Sequence, residues 1–369
     1  MNQLFRWDQT GLFLLALAAG ILPFAVPEVC AAALREGLTL CSGPLLLSLF
    51  PFLVVSRLLI QCPESDLLAL PFRLAAWGIG IRTPCAARVL CIGFLGGFAP
   101  AASAAAQAVR TGQLTAEEAD ALLPACICSG PSFVVLTVGQ SLLGSAELGV
   151  LLFASQITAN YLTAALLNRF AAVRSVKPGS AAPASPAPPR LDEILADAAI
   201  TYCKLCGFIL FFRMLAAGAG ALLPAGAGTL CSILLEVCSG CDLASRTGRW
   251  GSLLCCAALS VQGVSVLLQV RTICPPEMTL RPLYRARMLH LPLSLALFYL
   301  LLPGGEADVF STLPARVLLM RRVPPDCALL VFAVCCMAAC TLRSGIRQVE
   351  QKQMARNAGG CCINSKTLL

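Results

Sequence analysis

A carboxylate in the middle of an apolar run is costly in hydrocarbon unless it is paired, protonated or set against a wet cavity. Glu236, inside ILLEVCSG, stands in such a run. It could bind a coupling cation or take a proton; the alternative is a carboxylate already at the membrane interface beside Asp242. Gln262, inside SVQGVS, brings an amide that can both donate to and accept from a ligand. Gln156 and Asn160 are four apart and so share a helical face, which suits a cavity lining or a helix-to-helix hydrogen bond equally. Arg213, inside GFILFFRML, could meet a dianion or extend its head group to the interface. His290 is the single histidine and follows Arg281, Arg285 and Arg287 at a helix start, where a structural role is the ordinary one.

The chain has 21 cysteines. An odd total spread through apolar segments fits no extracellular disulfide framework, so most thiols read as small hydrophobes in a reducing cell. Cys203-x-x-Cys206 and Cys238-x-x-Cys241 have the spacing of redox or metal pairs. One histidine is too few for ordinary mixed Cys and His zinc sites. A four-thiolate site from Cys238, Cys241, Cys255 and Cys256 remains the alternative to a chain without a metal. HExxH, P-loop and nucleophile-elbow motifs are all missing, so the residues make no case for an enzyme.

The polar groups coincide with interruptions of hydrophobic runs. Residues 94 to 101 read FLGGFAPA, where Gly96, Gly97 and Pro100 break a helix in mid-span. Residues 128 to 131 read CSGP, with Ser129 near a cap position, then Gly130, and Pro131 suited to a new helix start. The second half has matching interruptions at Glu236-VCSGCD, which includes Ser239 and Gly240, and at Ser260-VQGVS. Each half therefore runs through a broken segment, a polar connector, a second broken segment and a full span, the order expected of internal repeats in secondary transporters. Half-helix N-termini at membrane depth present N–H groups that can hold an anionic or carbonyl-bearing solute.

The elements that must position these groups are membrane helices. Apolar residues make up 58% of the 369 positions and charged residues 12%, against about 25% charged in soluble domains; mean hydropathy is +0.80. Ten apolar stretches approach the roughly 20 residues needed to cross hydrocarbon. They lie near 11 to 30, 37 to 60, 84 to 107, 122 to 143, 146 to 168, 195 to 216, 219 to 238, 247 to 270, 284 to 302 and 325 to 342. Gly and Pro breaks bring the expected crossings to between seven and ten. The first stretch reads as an uncleaved helix rather than a signal peptide, because more apolar segments follow it at once.

A Pro, Ala and Ser-rich linker at 173 to 191 separates an N-terminal bundle and first repeat (1 to 172) from a C-terminal bundle and second repeat (192 to 342), and a basic tail follows (343 to 369). Linker and tail both read as cytoplasmic by their Lys and Arg content. Five apolar segments lie between them, so one, near residues 231 to 250, should enter and leave on the same side. The net charge of +8 is a topology signal and a surface for anionic lipid, with no need for nucleic acid. Residues 66 to 78 read as an interfacial helix, and Thr115 with Glu118 as a capping box on a short surface helix. The fold class is an all-α polytopic membrane protein with two structural repeats built on broken or re-entrant helices.

The runs GFLGGFAPAASAAAQAVRTGQLTAEEADALL, ICSGPSFVVLTVG and LGVLLFASQITANYLTAALL resemble the YlbJ-like sporulation integral membrane protein family. KLCGFILFFRML, LLEVCSGCDLA, LSVQGVSVLLQV and LYRARMLHLPLSLAL continue in that family's order, so the likeness covers roughly residues 35 to 300. It implies the nucleoside-recognition or Gate domain superfamily and a fold like that of concentrative nucleoside transporters. It also implies a role in endospore formation, in the mother-cell-derived membrane around the forespore, with dipicolinate as the solute moved. On this sequence the family's motifs fall at Gly96, Gly97, Phe98, Ala99 and Pro100; at Ser129, Gly130 and Pro131; at Glu236, Ser239 and Gly240; and at Ser260, Val261 and Gln262. The second of these lacks the asparagines usual in the family. The expected partners are a small anionic solute, membrane lipid and a further copy of the chain, with a proton or sodium as coupling ion and no other cofactor. A nucleoside or cell-envelope precursor is the alternative solute, and a non-transporting scaffold for spore assembly is the alternative role.

Overall fold

The computed structural model describes residues 9–62, 65–171 and 190–302. Nearly all of the linker, the stretch at 325 to 342 and the basic tail lie outside the described residues. Among the described residues the chain is helical with no strand. It opens with α1 (Gln9–Ala25), α2 (Pro27–Ser42) and α3 (Pro44–Gln61), then the short α4 (Ser65–Leu68) and α5 (Leu70–Gly78). Next come α6 (Pro84–Gly96), α7 (Phe98–Arg110), α8 (Ala116–Cys126), a π-helix (Ser132–Leu142) and α9 (Ala146–Ala171). Beyond the linker lie α10 (Leu191–Leu222), α11 (Ala225–Leu235), α12 (Val237–Ser245), a 3-10 turn (Gly248–Trp250), α13 (Gly251–Val261), α14 (Gly263–Ile273) and α15 (Arg281–Leu301). Pro27, Pro44 and Pro84 each open a helix, where the missing N–H costs nothing.

Four helical stretches are long and apolar enough to cross a membrane: Pro27–Leu47, Ala146–Phe170, Leu191–Leu222 and Gly248–Ile273. Phe24, Leu47, Phe170, Met288 and Leu300 are exposed, a surface suited to hydrocarbon and not to water. The apolar stretches at 84 to 107, 219 to 238 and 247 to 270 are each divided between successive helices. The segment at 66 to 78 is α4 and α5, with Leu67, Leu68, Leu74 and Trp77 exposed.

At the centre lies α7, whose sequence FAPAASAAAQAVR lets backbones approach closely. Its alanines from Ala99 to Ala108 are buried, and it packs on α3, α6, α8 and α14. The capping box forms at Thr115: Glu118 N donates to Thr115 Oγ1 at 3.1 Å and Thr115 N to Glu118 Oε2 at 3.1 Å. The other oxygen of Glu118 accepts from Thr83 Oγ1 at 2.6 Å, so α6 and α8 begin side by side. Asp120 accepts from Thr279 N at 2.8 Å and Leu280 N at 3.1 Å, which holds the chain entering α15 beside α8. Asn168, near the end of α9, donates to Ile79 O at 3.0 Å and Ala121 O at 3.1 Å. One end of the bundle thus gathers the starts of α6, α8 and α15 and the end of α9.

Candidate functional site

Four helix breaks come together in the interior. Between α6 and α7 the chain turns at Gly97, whose φ is +82°. A Cβ there would stand 2.6 Å from Gly130 N, so only glycine lets segment 127 to 130, between α8 and the π-helix, lie against this turn. Between α11 and α12 the chain is extended at Glu236. Between α13 and α14 it passes through Gln262, at φ +62°, and Gly263, at φ +69°. A Cβ on Gly263 would stand 2.8 Å from Leu235 O and 2.9 Å from Glu236 N. The two breaks of each half therefore touch each other. Gln262 holds a left-handed backbone that costs an L-residue about 1–2 kcal/mol, a local strain of the kind that collects at functional sites.

Breaking a helix leaves carbonyls exposed at one end and N–H groups at the other. At the ends of α8 and α13 the carbonyls are covered by side chains from distant helices. Ile127 O, just past α8, accepts from Arg287 Nη2 at 3.1 Å, Asn160 Nδ2 at 3.2 Å and Gln262 Nε2 at 3.3 Å. Arg287 also donates to Asn160 Oδ1 at 3.2 Å and to Ser260 O at 3.4 Å. His290 sets one ring nitrogen 3.3 Å from Ser260 O and the other 3.2 Å from Gln156 O. Gln156 Nε2 donates to Ser260 Oγ at 2.9 Å and Cys256 O at 3.2 Å, and the hydroxyls of Ser260 and Ser294 hydrogen-bond. This polar layer ties α9, α13 and α15 to the end of α8.

The N–H ends are treated differently. Glu236 caps α12 itself, accepting from Cys238 N at 2.9 Å and Ser239 N at 2.7 Å, and it is 2% exposed. The helices that begin at the other three breaks, α7, the π-helix and α14, have no side-chain cap. A cavity of about 50 Å³ lies at the starts of α7 and the π-helix, with Val266 and Gln269, further along α14, in its wall. Gly96, Phe98, Ser129, Gly130 and Glu236 line it, joined by Ser132, Cys238 and Gln269. Its walls offer backbone N–H ends, hydroxyls and one carboxylate, a set that can hold an oxyanion together with a cation or proton.

The other expected site residues stand around this cavity without lining it. Ala99 and Pro100 are buried within α7, and Pro131 precedes the π-helix. Ser239 contributes its N–H to Glu236, and Gly240 packs against the Ile233 backbone. Gln156, Asn160, Ser260 and Gln262 belong to the polar layer. Arg213 does not line the cavity; it pairs with Glu36 at 2.7 Å and stands within electrostatic reach of Glu236 and Cys238. The four-thiolate metal site is not assembled, since no group of three or more Cys, His, Asp or Glu side chains able to hold a metal occurs among the described residues. Only Cys241 and Cys255 bring their thiols together; Cys256 turns to Ser294 O, and Cys238 sits at the cavity.

Two residues matter that the sequence reading did not single out as site groups. Gln269 lines the cavity and is 2% exposed, with Oε1 unpartnered. Its signal was available, since it lies one turn after Ser265 in the apolar run that follows Gln262. Arg287 looked like one of three basic residues flanking a helix, and only its position within α15 distinguishes it from Arg281 and Arg285. Comparison with family models, curated proteins and solved structures gives no match.

Proposed function

We propose that the chain is a secondary transporter of a small organic anion, and that dipicolinate, the solute implied by the sequence resemblance, is its substrate in the outer forespore membrane. The observation that carries this reading is the meeting of two helix N-termini without side-chain caps, those of α7 and the π-helix, at one cavity with Glu236 in its wall. The N-termini supply partial positive charge without a fixed cation. Glu236 supplies a site for the coupling proton or sodium ion. A carboxylate and an anion repel each other in the same cavity, so loading the anion favours loading the cation, which is coupling in its simplest form.

Within this reading the first repeat is the α6–α7 hairpin, the broken α8 and π-helix pair, and α9. The second is the α11–α12 hairpin, the broken α13 and α14 pair, and α15. Each hairpin would be re-entrant, with its tip at Gly97 or Glu236. The matching order of elements and the contact between breaks within each half support this assignment.

A non-transporting scaffold has one observation on its side. The cavity, at about 50 Å³, is well below the roughly 150 Å³ that accommodates a benzene. Transport therefore requires the breaks to separate when the solute binds. Flux into reconstituted vesicles decides the matter, with dipicolinate, a nucleoside and solute-free controls. Saturable dipicolinate flux is expected, falling at least about tenfold in Glu236→Gln if the carboxylate carries the coupling ion. Folded protein without flux of either solute would favour the scaffold, and nucleoside flux alone would replace the substrate.

A further inference from the structure

A second, larger cavity of about 400 Å³ lies among α3, α7, α10 and α14. Its charged lining is Arg57, Arg110 and Lys204 against a single carboxylate, Asp197. The spacing explains the clustering. On α7, Ser103, Gln107 and Arg110 follow one another at four and three residues; on α10, Asp197, Thr201 and Lys204 do the same, so each set forms one helical stripe. Arg57 is 7% exposed, donates to Asp197 Oδ2 at 2.6 Å and Thr201 Oγ1 at 3.3 Å, and its Nε has no partner. Arg110 reaches Ile273 O at 3.3 Å with one nitrogen. Lys204 is exposed and has no acidic partner among the described residues.

The two cavities are in series. Gln269 lines both, and the adjacent Phe208 and Ile209 on α10 line the larger and the smaller respectively. The buried Oε1 of Gln269 is unpartnered, as expected of an amide that exchanges partners with a passing solute and its water. Low-dielectric walls carrying one excess sign of charge concentrate ions of the opposite sign.

We propose that the larger cavity is a loading site, in which Arg57, Arg110 and Lys204 gather a small dianion of the carboxylate or phosphate type and Gln269 marks the neck to the inner cavity. The passage inward rests on the transport reading above; the binding does not. The test uses the full chain and leaves the buried Arg57 intact. Lys204→Gln, Arg110→Gln and the double variant are compared with Arg190→Gln, an exposed charge that lines neither cavity and makes the same change in net charge.

Two readouts are taken: the KM and salt dependence of dipicolinate flux in vesicles, and calorimetric binding of dipicolinate and of inorganic phosphate to protein in detergent. Each single variant should raise KM about 3- to 10-fold, weaken binding by a similar factor and flatten the salt dependence, while Arg190→Gln changes none of these. Phosphate binding that competes with dipicolinate would establish charge, rather than ring shape, as what the site reads. Flux with unaltered KM and binding in the double variant would overturn the loading site and leave transport standing. Absence of flux with binding lost in the double variant would do the reverse. Wild-type protein that neither binds nor moves either probe overturns both.

Discussion

Arg287 is 7% exposed, and its guanidinium faces Ile127 O, Ser260 O and Asn160 Oδ1. The planar fork lets one side chain serve the carbonyl ends of two broken helices, which a lysine could not do with the same geometry. Arg287→Ala leaves Asn160 Oδ1 without this donor and opens a void. The expected loss is about 3 kcal/mol, read from unfolding in detergent micelles. Arg287→Met refills the volume without restoring the donors, and should recover part of that loss. A wild-type midpoint in Arg287→Ala would mean that the carbonyls find other donors. Glu236 is a contrasting case. Its carboxylate takes the position at the α12 N-terminus that an incoming anion would use, so the anion must rely on the uncapped starts of α7 and the π-helix. As an N-cap it contributes about 1 kcal/mol, which is why Glu236→Gln is expected to fold and can report on transport.

The breaks act in pairs at the level of elements. Gly97 and Gly263 have positive φ and a neighbouring backbone within 3 Å of where a Cβ would stand. Gly144 also has a positive φ, at +74°, but nothing lies within 4 Å. These residues separate backbone strain from crowding. Gly144→Ala should cost about 1–2 kcal/mol, with flux retained. Gly263→Ala carries comparable positive-φ strain, and Gly97→Ala more, since φ +82° with ψ −162° is a conformation essentially confined to glycine; each must also push two breaks apart, so both are expected to lose flux and to unfold at clearly lower temperature. Equal effects at all three sites would show that contact between the breaks contributes nothing. The run of alanines in α7 has a related role, since larger side chains there would hold α3, α6, α8 and α14 away from the cavity.

For the whole molecule, orientation follows from where charge collects. Arg57, Arg110, Lys204 and the start of α15 at Arg281 lie toward the end of the bundle where α10 begins. By the positive-inside bias that end is expected on the cytoplasmic side. Under the proposed function, the larger cavity would then open to the side from which solute is loaded. α15 runs from this end and finishes at Leu301 on the other. Reporter domains inserted near residue 180 and just after residue 303 should therefore read opposite sides of the membrane. Reporters on the same side would refute the placement of α15 and with it the second repeat.

Membrane character, the positions of the interruptions and the capping box at Thr115 were all legible in the sequence, because each depends on neighbours within a turn or two. Composition decides whether lipid can be the solvent, and Gly, Pro and Ser act on the backbone where they stand. Gly97, Glu236 and Gln262 could be marked as breaks for that reason. What the breaks meet could not be read in this way. The contacts to Ile127 O from Gln262 and Arg287 span 135 and 160 residues of chain, and no local periodicity encodes such a pairing. Gln156 and Ser260 are 104 residues apart, and their contact placed a suspected cavity-lining residue in a polar layer instead. The separation of Cys238 and Cys256 from the paired Cys241 and Cys255, the use of Glu236 to cap its own helix, and the shared position of Gln269 between two cavities are likewise outcomes of packing. Local chemistry determined where the chain stops being helical; only the tertiary structure decided which stops lie together and which of their polar ends remain open to a solute.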